Sequence, residues 1–392
     1  MQLTRSAGLR QLLLVTALLI SGTLAFAYAA QLHWEKGWLR DWHGYVAGAD
    51  FVNSWMMGHA ALTDNAPQRY YDLEAYNAHL RNMVGDADLQ LHQWSYPPSF
   101  MLPTSLIGWM PYHAALLLLC VVSVGALLMT VRRGCAADWK TDAATILCSP
   151  AAFIGFISGQ IAMLATAVQL YLFQQMDRRP YLAGMLLGVL SVKPQIGLIY
   201  PFFLLATRRW KVFASAAITT LAMVILTALI WGVEVWRAYL EIGAPAQSAF
   251  ALVAMTPSTK ALMPTLFVDM RAFGASVPVA MGVQMLAACM VIAALLLTRL
   301  HRWNVSAQML FVATGGVLLT PYLMAYDTLF LSAAIVLYLR DHAIDRWGMG
   351  IMGLTFLLPV LHFAAMMHGM GGTAMLPLGL FVWLITAHRS RA

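Results

Sequence analysis

Apolar runs of roughly 15 to 24 residues recur from about residue 9 to the C-terminus, separated by short clusters of Arg and Lys. A hydrocarbon core about 30 Å thick is crossed by about 20 helical residues. Backbone placed in lipid must also satisfy its own N–H and C=O groups, so only helices and closed barrels span it. Runs of this length select helices. The composition agrees: 60 % of the chain is hydrophobic and 10 % charged, against about 25 % charged in soluble domains, and the mean hydropathy is +0.69.

The expected fold is therefore an all-α polytopic membrane protein with about twelve transmembrane helices, over residues 9–30, 109–131, 143–158, 161–176, 180–193, 196–207, 212–232, 277–298, 305–321, 323–339, 347–367 and 373–388. An even number of crossings puts both termini on one side. Sixteen of the 24 basic residues fall on that side, Arg5, Arg10, Cys135-flanking Arg133, Arg389 and Arg391 among them, with five carboxylates. The opposite loops carry seven basic and eleven acidic residues. Positive charge collects on the cytoplasmic side of membrane proteins, so both termini are expected in the cytoplasm of a bacterial inner membrane. The sequence pI near 9.3 then reflects topology, and no nucleic-acid partner is expected.

The whole chain, 1–392, reads as one membrane domain with two long extracytoplasmic loops, 31–100 and 233–277. The first holds eight of the seventeen carboxylates. Within it, Ala49 to Leu62 reads as an amphipathic helix opened by Asp50, Asp72 to Val84 as a second, and Trp94 to Pro98 as a rigid non-helical segment. The second loop reads as a helix from Trp236 to Phe250 with turns near Pro245, Pro257 and Pro264. A cleaved signal peptide is the alternative for the N-terminus, because Arg5 and Arg10 precede an apolar stretch ending in small residues near Ala27 to Ala30. Cys120, Cys135, Cys148 and Cys289 suggest neither disulfides nor a thiolate metal site.

The segments between 143 and 207 are too short to cross an unthinned bilayer at 1.5 Å per residue. Their turns, Ser158-Gly159-Gln160 and Lys193-Pro194-Gln195, are expected at membrane depth, where irregular backbone is tolerated only against protein or a wet cavity. The turn from Thr320-Pro321-Tyr322 through Tyr326-Asp327 has the same placement. Lys193 and Asp327 are then ionisable groups near hydrocarbon, and such groups are functional candidates by default. They are equally able to pair with each other and hold the bundle together.

Several segments resemble, in order and placement, the polyprenyl-phosphate-dependent membrane glycosyltransferases of the GT-C superfamily, and specifically glycosyltransferase family 87. They are Gly48-Ala49-Asp50-Phe51, Tyr96-Pro97-Pro98, Gly159-Gln160, Ser191-Val192-Lys193-Pro194-Gln195 with Arg208-Arg209-Trp210, and Leu319-Thr320-Pro321-Tyr322 leading to Tyr326-Asp327. The resemblance implies a sugar donor on a polyprenyl phosphate, a lipid or glycan acceptor at the outer membrane face, and an acidic base in the first outer loop. Asp50 occupies that position. Many members carry Ser-Pro followed by Trp and His in the late turn, so a His contact to the donor is not carried over.

A phosphate leaving group departs already ionised, so one carboxylate suffices where glycoside hydrolysis normally needs two. Asp50 is the expected catalytic base, with inversion at the anomeric carbon. Lys193, Gln195, Gln160, Tyr326 and Asp327 are the expected donor phosphate or sugar contacts, and Trp55, Trp94 and Tyr96 an acceptor or loop platform. No cofactor and no metal are expected. The transferred sugar is a hexose or pentose, with mannose first. Plainer roles stand beside these: Asp50 as a helix N-cap, Gly155-x-x-x-Gly159 and Gly184-x-x-x-Gly188 as helix packing, and the aromatics Trp42, Tyr45, Tyr70 and Tyr71 with the three above as an interfacial belt. A multi-pass transporter or glycolipid flippase is the alternative function.

Overall fold

The computed structural model describes residues 2–134, 138–252 and 255–389, so Cys135 and Arg391 lie outside the described residues, as do the side chains of Arg5 and Arg389. The chain opens with α1 (Gln2–Ala29). The first loop then forms a small hairpin, β1 (His33–Glu35) against β2 (Trp38–Arg40), with Trp34 opposite Leu39. It continues through α2 (Phe51–Thr63), α3 (Leu73–Val84) and α4 (Met101–Ser105). Asp72 caps α3 by accepting from the Ala75 N–H at 2.9 Å, and Gly85 ends that helix in the left-handed region.

The bundle follows as α5 (Tyr112–Gly134), α6 (Trp139–Leu147), α7 (Pro150–Ile157), α8 (Ala162–Gln175), α9 (Pro180–Val189), α10 (Pro194–Gly197), α11 (Tyr200–Ala206) and α12 (Trp210–Trp231). The second loop carries α13 (Glu234–Ala238), α14 (Ala244–Leu252), α15 (Pro257–Ala261) and α16 (Leu266–Ala272). The chain finishes with α17 (Val277–Leu297), α18 (Val305–Leu319), α19 (Leu329–Asp341), α20 (Arg346–Phe356), α21 (Leu358–Met367) and α22 (Met375–Arg389).

Helices that are apolar all round belong in a core or in lipid, and this chain uses both. α19 is buried from Leu329 to Leu339, and α18 nearly so, which makes this pair the centre. α12 and α17 instead expose Leu221, Leu229, Leu296 and Leu297. Among the described residues, four helices are long and apolar enough to cross a membrane, Ala7–Ala29, Tyr112–Gly134, Trp210–Trp231 and Val277–Leu297, and α20 with α21 makes a fifth if the pair is one bent span. Shorter apolar helices occupy Pro180–Val192, Pro194–Ala206, Val305–Leu319 and Met375–His388. Gly184 and Gly188 bring α9 against α12: a Cβ at Gly184 would sit 2.4 Å from the Val212 carbonyl oxygen.

Four details correct the sequence expectations, three of them at a proline. The span expected over 143–158 is two helices, because Ser149 is extended and Pro150 starts α7; a proline disfavours helix in the residue before it. The span expected to begin at 323 begins as α-helix at Leu329, after a 3-10 turn over Ala325–Thr328. The span over 347–367 bends by 65° between α20 and α21, just before Pro359. The turn expected near Pro245 is helix: a π turn over Tyr239–Gly243 links α13 to α14, which absorbs the donor that proline lacks.

α1 packs as a member of the bundle. Leu13 and Ala17 are buried, Ser21 donates to the Cys148 carbonyl at 2.7 Å, and Arg10 reaches the buried Asp142 at 2.6 Å. Arg340 approaches the same carboxylate at 3.7 Å, so α1, α6 and α19 are tied at one end. At the same end Arg209 bridges Asp177 and Gln308. The long loops gather at the opposite end, where Ala325 N–H donates to Leu262 O and Ala374 N–H to Asp269.

Candidate active site

Asp50 ends the Gly48-Ala49-Asp50 segment that leads into α2. Tyr112, at the start of α5, donates its hydroxyl to the carbonyls of Ala47 and Gly48 at 2.7 and 3.1 Å, and so anchors that segment. The Asp50 N–H donates to the Ser158 carbonyl at 3.0 Å, which joins the loop to the turn between α7 and α8. Two left-handed glycines make the approach possible. Gly48 has φ +77° and Gly159 φ +64°, and a Cβ on Gly159 would meet the Phe51 Cβ at 2.6 Å and the Gly48 Cα at 3.1 Å.

Asp50 precedes α2, yet its side chain caps no helix N–H. Its Oδ2 instead accepts from the Gln160 side-chain amide at 2.9 Å. That amide also lies 3.2 Å from the Tyr96 hydroxyl. Burial raises the Asp50 carboxyl above its ordinary range, opposed first by the Gln160 hydrogen bond and then by the charge of Lys193 and the nearby Tyr326 hydroxyl. Burial and the charge of Asp50 likewise push the Tyr96 phenol upward, so it stays a neutral donor.

Lys193 sits between a 3-10 turn over Leu190–Val192 and α10, in extended backbone just before Pro194. Its ammonium is 2.8 Å from Asp327 Oδ1, with 1 % and 0 % of the two side chains exposed. The same ammonium lies 4.7 Å above the centre of the Tyr326 ring, a cation–π distance. The charge of Lys193 also reaches the Asp50 carboxylate. The turn that carries Tyr326 and Asp327 is braced by the second loop, through Thr265 donating to Pro321 O at 3.0 Å and Ala325 N–H donating to Leu262 O at 2.7 Å.

The structure thus gathers Asp50, Gln160, Tyr96, Tyr326, Lys193 and Asp327 into one cluster. Gln195 lies beyond it, where with Gln169 and Asp327 it lines a small, partly open cavity. Two platform residues are placed elsewhere. Trp94 is buried and stacks on Phe100 at 5.8 Å, and Trp55 is buried with its indole N–H donated to the Met110 carbonyl at 2.8 Å. Both rings are committed to the core of the first loop and offer no free face. Tyr70 and Tyr71 are buried in the same core, whereas Trp42 and Tyr45 are exposed. Among the described residues no three His, Cys, Asp or Glu side chains converge as a metal set. Sequence reasoning missed Tyr112, whose role depends on a contact 64 residues away and has no local signal.

A half-buried carboxylate near a buried ammonium, at the end of a helical bundle where broken helices meet a folded loop, defines a helical membrane protein with a polar cluster at one end. Residues 94–326 match the model of glycosyltransferase family 87. That is more than half of the chain, which belongs to this family and is a glycosyltransferase. The matched stretch includes Tyr96, Gln160, Lys193 and Tyr326 and leaves out Asp50 and Asp327. No curated protein and no solved structure matches the chain.

Proposed function

We propose that the protein transfers a hexose or pentose, mannose first, from a polyprenyl-phosphate sugar to a lipid or glycan acceptor at the outer face of a bacterial inner membrane. In this reading the chain crosses twelve times with both termini in the cytoplasm, and the short broken helices end below the outer surface. The observation that carries it is the convergence of Asp50, held by the Gln160 amide, with the buried Lys193–Asp327 pair, whose ammonium lies over the Tyr326 ring and whose charge reaches the Asp50 carboxylate.

Asp50 accepts the proton of the acceptor hydroxyl as that oxygen attacks the anomeric carbon. The bond from that carbon to the phosphate oxygen breaks, its electron pair leaves on the prenyl phosphate, and the configuration inverts. The leaving group is already anionic and needs no acid, so a single carboxylate completes the proton inventory. Gln160 and Tyr326 aim the carboxylate, and Lys193 offsets the charge growing on the phosphate. A donor lipid reaches this end of the bundle from the apolar faces of the surrounding helices.

The test supplies radiolabelled polyprenyl-phosphate mannose, glucose or arabinose to membranes containing the wild type or Asp50→Asn. Labelled product forms only with the wild type, and Asn lowers transfer by at least about 100-fold, the range of a general base. Full activity in Asp50→Asn removes the proposed base. Movement of a glycolipid across liposomes without transfer supports a flippase instead.

A further inference from the structure

The ammonium that the donor phosphate needs is already taken. Lys193 lies 2.8 Å from Asp327 Oδ1 and both side chains are sealed from solvent, so a phosphate reaching Lys193 must either share it with a carboxylate or displace that carboxylate. The other oxygen of Asp327, Oδ2, is buried and makes no hydrogen bond among the described residues. Asp327 also forms part of the wall of a partly open cavity of about 30 Å³, lined on its polar side by Gln169 and Gln195 and elsewhere by Gly316, Leu323 and Phe330. That is room for about two waters. Gln195 brings a hydrogen-bonding side chain to this cavity, while the Gln169 amide is engaged with Ala165 O and the Tyr200 hydroxyl, and the Lys193 ammonium lies over the Tyr326 ring.

We propose that Asp327 is the specificity-determining residue of the donor site: it holds Lys193 until an anionic lipid head group takes its place, and the freed carboxylate turns into the Gln169–Gln195 cavity. This deepens, and rests on, the assignment of a prenyl-phosphate donor. A neutral head group has nothing to exchange, because leaving a buried ammonium and a buried carboxylate unpaired costs more than uncharged contacts return. An anion keeps the ammonium paired, so that only the freed carboxylate has to be accommodated anew, by the Gln195 side chain and water in the cavity, and the site opens. The selectivity is therefore set by the competitor for Lys193 and not by Lys193 alone. Gly316 offers an independent handle, because a Cβ there meets only Ile199, at 3.8 Å, and a larger side chain grows into space the cavity provides.

The test measures binding of farnesyl phosphate and of farnesol to the purified full-length protein in micelles, with thermal unfolding of each variant as the control for folding. The wild type binds the phosphate and not the alcohol. Asp327→Asn, which removes the competitor and keeps the shape, binds the phosphate about tenfold more tightly. Gly316→Val fills the cavity, leaves the unfolding midpoint in place and weakens phosphate binding several-fold. Lys193→Met with Asp327→Leu exchanges the pair for apolar side chains, a change buried pairs tolerate, and abolishes phosphate binding in a folded protein. If Asp327→Asn folds yet binds no more tightly, or fails to fold while Gly316→Val binds as the wild type does, the exchange is overturned and the donor assignment survives. If the folded Lys193→Met, Asp327→Leu protein still transfers sugar from a prenyl phosphate, the donor assignment itself falls.

Discussion

Asp50 shows how a side chain's role is decided by what stands opposite it. Aspartate before a helix is a favoured cap, and Asp72 performs that role at α3. Asp50 does not, because its carboxylate faces the Gln160 amide across a contact between residues 110 positions apart. Burial raises its proton affinity, and the amide partly restores the charged form. The acidic limb of kcat/KM, which reports the base in the free enzyme, is therefore expected above the usual aspartate value of about 4. Gln160→Leu removes a hydrogen bond that favours the charged form. Asp50 is then protonated at a higher pH, so the limb moves up, and the loss of the group that aims the carboxylate lowers the rate on its alkaline side as well. A pH profile of the two proteins reads this directly, and a limb that stays put or moves down separates Gln160 from Asp50. Tyr96 joins the same network through its hydroxyl.

At the scale of elements, the site exists because helices stop early. Pro150, Pro194 and Pro321 each deny the backbone a donor, and carbonyls at the broken turns are answered by neighbouring protein. Asp50 N–H answers Ser158 O, and Thr265 answers Pro321 O. The tightest of these junctions is Gly159, where the left-handed backbone and the 2.6 Å approach of an added Cβ to Phe51 both exclude a side chain. Gly159→Ala is expected to lose about 1–2 kcal/mol from the backbone conformation alone, and more from moving α2. A lowered unfolding midpoint together with reduced transfer checks it; unchanged transfer detaches the turn from the site. The proline and glycine punctuation made the breaks at Gly159, Pro194 and Pro321 legible in advance, whereas the break at Pro150 falls inside a span expected to be continuous over 143–158. The bend between α20 and α21 and the π turn before Pro245 were not legible either, because a proline's neighbours decide whether a helix ends, bends or bulges around it.

Over the whole molecule, the two ends differ in chemistry. One is held by Arg10, Asp142, Arg340, Arg209 and Asp177, the other by hydrogen bonds between the loops and the broken turns. α1 belongs to this scaffold, so purified protein is expected to retain residues 1–30, which an intact mass measurement reads. Arg10→Leu leaves the buried Asp142 carboxylate with only the more distant Arg340. Removing one partner of a buried pair costs roughly 3–5 kcal/mol, so this variant should accumulate poorly in membranes; wild-type levels and an unchanged unfolding midpoint would refute the anchoring role. Residue chemistry along the chain determined by itself that this is a helical membrane protein, where some of its helices break, and which segments carry its few charges, because hydropathy, proline and charge act locally on the backbone. Tertiary structure decided that Asp50 meets Gln160 and not its own helix, that Lys193 is already paired, and that Trp55 and Trp94 serve the core of the loop. Those outcomes depend on contacts between residues tens to more than a hundred positions apart, which the local pattern of the chain does not encode.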